Sequence, residues 1–288
     1  MRSGIEEHSS NACLVHLLAH TVGIVNGIRV EGTSRLTGKR GDSEQGGTGC
    51  PIKWGDRRLF LSAAHVFENA EAKDLRFLTF PNENIRFKAP SDVTRADAVD
   101  ALPLCDPTAR IHRCAWEDLA VVTVDHNAFP GLDFVDIVDY WADPAEGEYL
   151  HFCGFPSDHS TIVEKRVTAD REDVGIALFP TAFSGKVQAV PSADDIKFKY
   201  AGFDPEKHCL VPYEIQAMSQ HPRGVSGSAA WWESDEKLQV WRPNFRFAGI
   251  CTHCHREGTV LRIVRAHVVR EFLKELFGNP NGRNTPTS

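Results

Sequence analysis

Three short stretches decide how this chain is read: Ser62-Ala63-Ala64-His65, Asp118-Leu119-Ala120-Val121 and Gly224-Val225-Ser226-Gly227-Ser228. They set an imidazole, a carboxylate and a hydroxyl in the chain order His, Asp, Ser, too far apart to meet except in a folded chain. A serine hydroxyl is scarcely ionised at neutral pH, so it attacks only when a neighbouring base takes its proton. His65 is the candidate base, because the small residues Ser62, Ala63 and Ala64 leave its ring room to turn inward. Asp118 stands directly before the apolar run Leu119-Ala120-Val121-Val122 and would hold that ring in one tautomer; Glu117 and Asp125 are the alternatives. Glycines near Ser226 allow a bend in which the N–H groups of Gly224 and Ser226 point at one oxygen, the arrangement that stabilises an oxyanion. Ser228 is the nearest rival nucleophile, but it lacks the preceding Gly-Val pair. Taken singly these are a strand-end histidine, a loop carboxylate and a turn serine. Their combination and order carry the reading.

The remaining composition narrows the class. A chain of 288 residues with 42% hydrophobic residues can bury one large core or two small ones. A formal net charge of −7 offers no basic surface for nucleic acid or anionic lipid. The apolar stretch 13–25 is broken by His16, His20 and Thr21 and has no basic leader. It is expected to be a buried strand rather than a signal peptide or membrane span, which points to a cytoplasmic protein. Eight cysteines (13, 50, 105, 114, 153, 209, 251 and 254) are spread without a dense framework and read as buried free thiols.

Short β-rich runs at 23–30, 58–62, 75–80, 119–124, 149–153, 185–190 and 247–252 alternate with turn residues, and no βαβ rhythm appears. The class is therefore all-β. One helix is predicted over 266–277, where Val268, Val269, Phe272, Leu273, Leu276 and Phe277 recur at helical spacing before Gly278 and Pro280. The stretch 125–147, with Pro130, Gly131 and Pro144, reads as a linker. That divides the chain into a first barrel, 13–130, carrying His65 and Asp118, and a second, 145–277, carrying Ser226. Residues 278–288 are expected to be a disordered tail.

On these residues the chain resembles the trypsin-like (chymotrypsin-fold) serine proteases, in the style of the bacterial trypsin-like and Deg enzymes without a PDZ domain. The resemblance runs over residues 47–276 and includes Gly47-Thr48-Gly49, Gly154-Phe155-Pro156, Glu214-Ile215-Gln216, Phe247-Ala248-Gly249-Ile250-Cys251-Thr252 and the final helix. It implies two six-stranded antiparallel β-barrels with the site in the cleft between them, and a serine endopeptidase acting on protein or peptide substrates through an acyl-enzyme. No cofactor or metal is then required. Thr252 would support Asp118 with its hydroxyl, and Cys251 to His253 would pair with the substrate backbone as an added strand. The base of the specificity pocket falls at Gln220, with walls at His221, His253, Cys254 and Gly258. No carboxylate sits at that base, so a small or medium uncharged side chain is expected there.

The chain also departs from that pattern. Val225 stands where trypsins have Asp and Deg enzymes Asn, and Val66 follows His65 where secreted relatives carry a disulfide cysteine. Ile24-Val25-Asn26-Gly27 resembles the cleaved amino terminus of the secreted enzymes, but Val225 cannot accept a buried ammonium, so an ordinary first-barrel strand is expected. Cys251-Thr252-His253-Cys254-His255 spells a haem-attachment or zinc half-site, yet no second ligand pair is evident and neither group is expected. The rival reading is a protease-shaped interaction module whose cleft is unused, or one active only within a partner complex.

Overall fold

In the computed structural model the β-rich runs fold into two sheets. The structure describes residues 13–26, 46–68, 75–78, 102–103, 110–125, 129, 131–156, 161–167, 172–177, 180–213, 222–234, 244–255 and 259–280. The first sheet holds β1 (Val22–Asn26), β2 (Gly46–Trp54), β3 (Arg57–Ser62), β4 (Leu75–Leu78), β5 (Leu102–Pro103), β6 (Ile111–Arg113), β7 (Ala120–Val124) and β8 (Val135–Asp136). Its order is β5-β4-β1-β2-β3-β7-β6, with β8 alongside β2. Next comes β9 (Tyr149–Gly154), then a separate hairpin of β10 (Thr161–Val167) and β11 (Glu172–Ala177). The second sheet combines β9 with β12 (Thr181–Lys186), β13 (His208–Pro212), β14 (Ala229–Glu233), β15 (Phe245–His255) and β16 (Val260–Arg265). Its six strands run β12-β9-β14-β15-β16-β13, and the Gln188 N–H donates to the Leu210 carbonyl at 2.9 Å, which draws the two edges together. Antiparallel pairing dominates as expected. The first sheet departs from six strands by having eight, of which β8 pairs in parallel with β2 at Ile52 and Lys53.

Burial explains which runs became strands. Strand β7 is apolar without alternation because both its faces are covered: Val121 enters a core shared by the two sheets, while Ala120 and Val122 enter the first sheet's own. The shared core also takes Leu59 and Leu61 of β3, Trp231 of β14 and Ile250 of β15. It is closed by the C-terminal helix, Ala266–Phe277, which buries Val268, Val269, Phe272 and Leu273. That helix stops at Gly278, where φ is +77°, a conformation glycine adopts at least cost.

Four expectations need correction. Residues 13–19 are helical, and only then does β1 begin. The polar residues that interrupt the apolar run explain this, since the His20 ring bonds the His16 carbonyl at 2.8 Å and the Thr21 hydroxyl donates to the Leu17 carbonyl. The strand expected at 185–190 lies at Thr181–Lys186, because the β9 ladder pairs Thr181 with Gly154 through to Lys186 with Tyr149. The stretch read as a bare linker contains β8, buries Phe129, Leu132 and Ile137, and bridges Trp141 to Phe247. The expected tail starts too early, since the Gly278 carbonyl accepts the Trp54 indole N–H at 3.1 Å; residues 281–288 lie outside the described ones. Strand β1 is internal: Ile24 pairs with Gly47 of β2 on one side and Phe77 of β4 on the other.

Candidate active site

The β3–β7 register fixes the first half of the site. Ser62 lies opposite Ala120, so the chain leaving β3 passes the residues entering β7, and the Ala64 N–H donates to the Asp118 carbonyl at 3.2 Å. A turn of 3-10 helix, Ala64–Phe67, buries Val66 and Phe67 and turns His65 outward. The His65 backbone N–H donates to Asp118 Oδ1 at 3.0 Å, and its Nδ1 lies 2.6 Å from Asp118 Oδ2. A carboxylate only accepts, so the ring proton sits on Nδ1 and Nε2 is left to accept. The imidazole is 45% exposed and reachable from solvent.

Glu117, the neighbouring alternative, is occupied elsewhere. Its carboxylate accepts from His208 Nε2 at 2.9 Å and pairs with Lys207 at 3.5 Å. The Asp204 N–H donates to His208 Nδ1, so Nε2 carries the proton; burial first, opposed by Glu117, lowers the pKa of this ring. The pair ties the turn that carries Asp118 to β13 of the second sheet. Asp125 lies at the far end of β7.

The nucleophile loop, 224–228, leads into β14. Its amides divide into two sets. Val225 donates to the Pro222 carbonyl at 3.0 Å, Gly227 to Cys251 at 2.7 Å and Ser228 to Val225 at 2.9 Å. Gly224 and Ser226 have no acceptor for their N–H among the described residues. Gly224 is nevertheless buried. Gly227 has φ of +91°, and a side chain on it would collide with the Thr48 carbonyl and Ser62 Oγ, so this loop closes directly over the end of β3 that leads to His65. Ser226 is half-buried, whereas Ser228 is fully buried and unfit to meet a substrate. Among the described residues Ser226 Oγ makes no hydrogen bond to His65, a link that often tightens only when substrate binds.

No protein-family model matches the sequence, and no curated protein matches it. Solved structures do match by shape. The scabies mite inactivated protease paralogue S-D1 superposes with a TM-score of 0.53 at 10% identity, over 90% of this chain and 93% of that one. The Vibrio cholerae VesB protease gives 0.52 at 13% identity, over 91% of this chain and 65% of that one. The fold is that of the trypsin-like serine proteases.

Within this trypsin-like fold, β15 meets the nucleophile loop at Cys251, whose carbonyl accepts the Gly227 N–H. Strand β14 pairs with it only as far as Ile250, so among the described residues no strand covers that edge from 252 onward. Two implied roles need correction. Cys251 cannot pair with a substrate backbone, because its N–H donates to the Ser228 carbonyl and its carbonyl accepts from Gly227. The Thr252 hydroxyl does not bond Asp118; it is buried with no partner among the described residues, and the Asp118 oxygens accept from His65. The reason is a bulge: Cys251 faces Ile263 and His253 faces Arg262, leaving Thr252 as the extra residue. His253 is exposed, and burial, then Arg262 and His65, lower its pKa against the pull of Asp118. Gln220, His221 and Gly258, expected in the specificity pocket, lie outside the described residues, as do Glu214, Ile215 and Gln216.

The same bulge puts Cys254 on the face of Cys251, since their partners Leu261 and Ile263 are two apart. The Cys251 thiol donates to Cys254, which lowers Cys254 and raises Cys251. His255 on the opposite face is pushed down to about 4 by burial. Among the described residues no group of three or more such side chains could hold a metal ion.

Sequence reasoning missed Thr48 and the Glu117–His208 pair. Thr48 lies inside the quoted Gly-Thr-Gly word, but its partners are remote in sequence. Nothing local marks His208 as a partner of residue 117.

Proposed function

We propose that the chain is a serine endopeptidase. Ser226 attacks the scissile carbonyl, His65 takes the hydroxyl proton on Nε2 and returns it to the leaving amine, and Asp118 stabilises the imidazolium. The N–H groups of Gly224 and Ser226 hold the oxyanion. One observation carries this reading. In a loop where three of five amides are bonded within the protein, the two with no acceptor among the described residues are those the chemistry needs, and His65 and Asp118 form a pair with the required tautomer. The uncovered edge of β15 from 252 onward would receive an extended peptide as an added strand, His253 and Cys254 lining its path. An uncharged side chain before the scissile bond fits the absence of a carboxylate at Gln220.

We also propose a cytoplasmic location, a reading supported by the seven described cysteines, all of which are free. Among the described residues no helix is long and apolar enough to cross a membrane.

The fold alone does not carry activity, since the scabies mite protein that shares it is an inactivated protease paralogue. The second reading, a binding module of protease shape or one completed by a regulatory partner, is favoured by the open contact between Ser226 and His65. A serine-directed fluorophosphonate separates the two. The purified chain should label at Ser226 and cleave a peptide library, and Ser226→Ala should do neither while melting normally. Wild-type protein that neither labels nor cleaves, or Ser226→Ala that still cleaves, would overturn the endopeptidase reading.

A further inference from the structure

In the trypsin pattern an ammonium buried against the residue before the nucleophile orders the oxyanion loop. Val225 offers no such partner, and Ile24 is locked between two strands. Something else must order the loop. The Val225 side chain is fully buried and fixes one point of it, but an apolar contact does not set the direction of a peptide plane.

Thr48 does. This residue of β2 is fully buried, and each of its polar atoms is engaged across the boundary between the barrels or at the end of β3. Its N–H donates to the Ser226 carbonyl at 2.9 Å. Its hydroxyl donates to the Gly224 carbonyl at 2.8 Å and accepts the Phe155 N–H at 3.0 Å. Its carbonyl accepts from Ser62 Oγ at 2.6 Å. Consider the peptide planes of the loop. The plane joining 224 to 225 is held at its oxygen by Thr48 and at its N–H by Pro222. The plane joining 226 to 227 is held by Thr48 and by Cys251. The two N–H groups proposed for the oxyanion lie on the planes adjoining these fixed ones. With both fixed planes anchored, the open N–H groups keep one direction before any substrate arrives.

We infer that the Thr48 hydroxyl is a positioning group that presets the nucleophile loop, in place of a freed amino terminus. The inference rests on the endopeptidase reading for its catalytic consequence, but its structural content does not. A hydroxyl is required because one atom both donates to Gly224 and accepts from Phe155. Valine has the same shape and does neither; serine does both.

Two measurements on the full chain test it, comparing wild type with Thr48→Val and Thr48→Ser. Amide hydrogen exchange reads the loop directly. In Thr48→Val the amides of Phe155, Val225, Gly227 and Ser228 should exchange at least about ten-fold faster, with β16 unchanged, and Thr48→Ser should match wild type. Fluorophosphonate labelling reads the consequence: Thr48→Val should label about 10²-fold more slowly, as expected when an oxyanion donor is misplaced, and Thr48→Ser within a few-fold of wild type. Wild-type loop exchange in a folded Thr48→Val overturns the inference. If the valine variant does not fold, the serine variant decides alone: loop protection kept supports the hydroxyl's role, and loop protection lost refutes it. Wild-type protein that fails to label while Thr48→Val still loosens the loop removes the endopeptidase reading and leaves the positioning role standing.

Discussion

Asp118→Asn is the most informative single change, because the structure dictates which way the new amide must face. Asp118 Oδ1 accepts the His65 backbone N–H at 3.0 Å, so the side-chain oxygen of an asparagine is held there. Its NH2 group then takes the place of Oδ2, 2.6 Å from the imidazole Nδ1, and donates to it. Nδ1 becomes an acceptor, the ring proton moves to Nε2, and the atom proposed to take the Ser226 proton becomes a donor that cannot take one. The variant exchanges a charge-assisted hydrogen bond, worth about 1.5–3 kcal/mol, for a neutral one. It also loses the charge that stabilises the imidazolium and the productive tautomer. Together these should cost about 10⁴ in rate, or about 5 kcal/mol. The fold should survive, since the shape is kept and only one of the two bonds to His65 changes sense. The assay is the second-order rate of fluorophosphonate labelling beside hydrolysis of a fluorogenic peptide, with thermal melting as the fold control. A folded Asp118→Asn within about ten-fold of wild type would mean that His65 does not act as the base through this tautomer.

Three further outcomes are expected. Burial lowers the pKa of His16 to about 3, and its ring packs 4.7 Å from Phe245 and 4.8 Å from Trp231. Its unfolded form binds a proton near pH 6.5, so stability is full above that pH and falls as pH drops toward 3, by up to about 1.4 kcal/mol per unit. His16→Phe should flatten this slope between pH 6.5 and 4.5 in urea titrations, and a wild-type slope in the variant would refute the cause. Gly227→Ala should destabilise by more than about 3 kcal/mol, through both its φ of +91° and the collision with the Thr48 carbonyl; an unchanged denaturation midpoint would contradict it. A chain engineered to start at Ile24 should label more weakly than full-length protein and melt lower, because β1 and the helical residues 13–19 bury Val22, Leu17 and Leu18. Inert full-length protein beside an active Ile24 form would instead restore a cleavage mechanism.

What the sequence makes legible is local in character. The final helix can be read at its true bounds because six apolar residues repeat at helical spacing and Gly278 ends them. The pairing of His65 with Asp118 follows from two words that each combine a functional side chain with an apolar strand. The helical residues 13–19 are easily misread because His16, His20 and Thr21 look like breaks in an apolar run, while in space they bond back along the helix and against Trp231. The role expected of Thr252 rests on analogy of position, and a bulge shifts what position means after Cys251. The roles of Thr48 and His208 are beyond reach for a different reason. Each is defined by a partner in the opposite barrel: 176 residues separate Thr48 from Gly224, and 91 separate His208 from Glu117. Such pairings leave no periodicity for a single sequence to display.

The C-terminal helix has a consequence for how the molecule is made. Its residues Val268, Phe272 and Leu273 enter the same core as Trp54, Leu59 and Leu61, and the Trp54 indole closes on a carbonyl 224 residues further along. A ribosome adding about 5–20 residues per second needs about 10–45 s to travel from one to the other. Throughout that interval the flank of the first barrel that the helix will cover stays wet and adhesive. The first barrel is synthesised long before the second, yet it cannot be finished before it. The nascent chain therefore carries His65 and Asp118 for about 5–20 s before Ser226 is added, and both barrels are completed only when the helix at 266–277 has emerged.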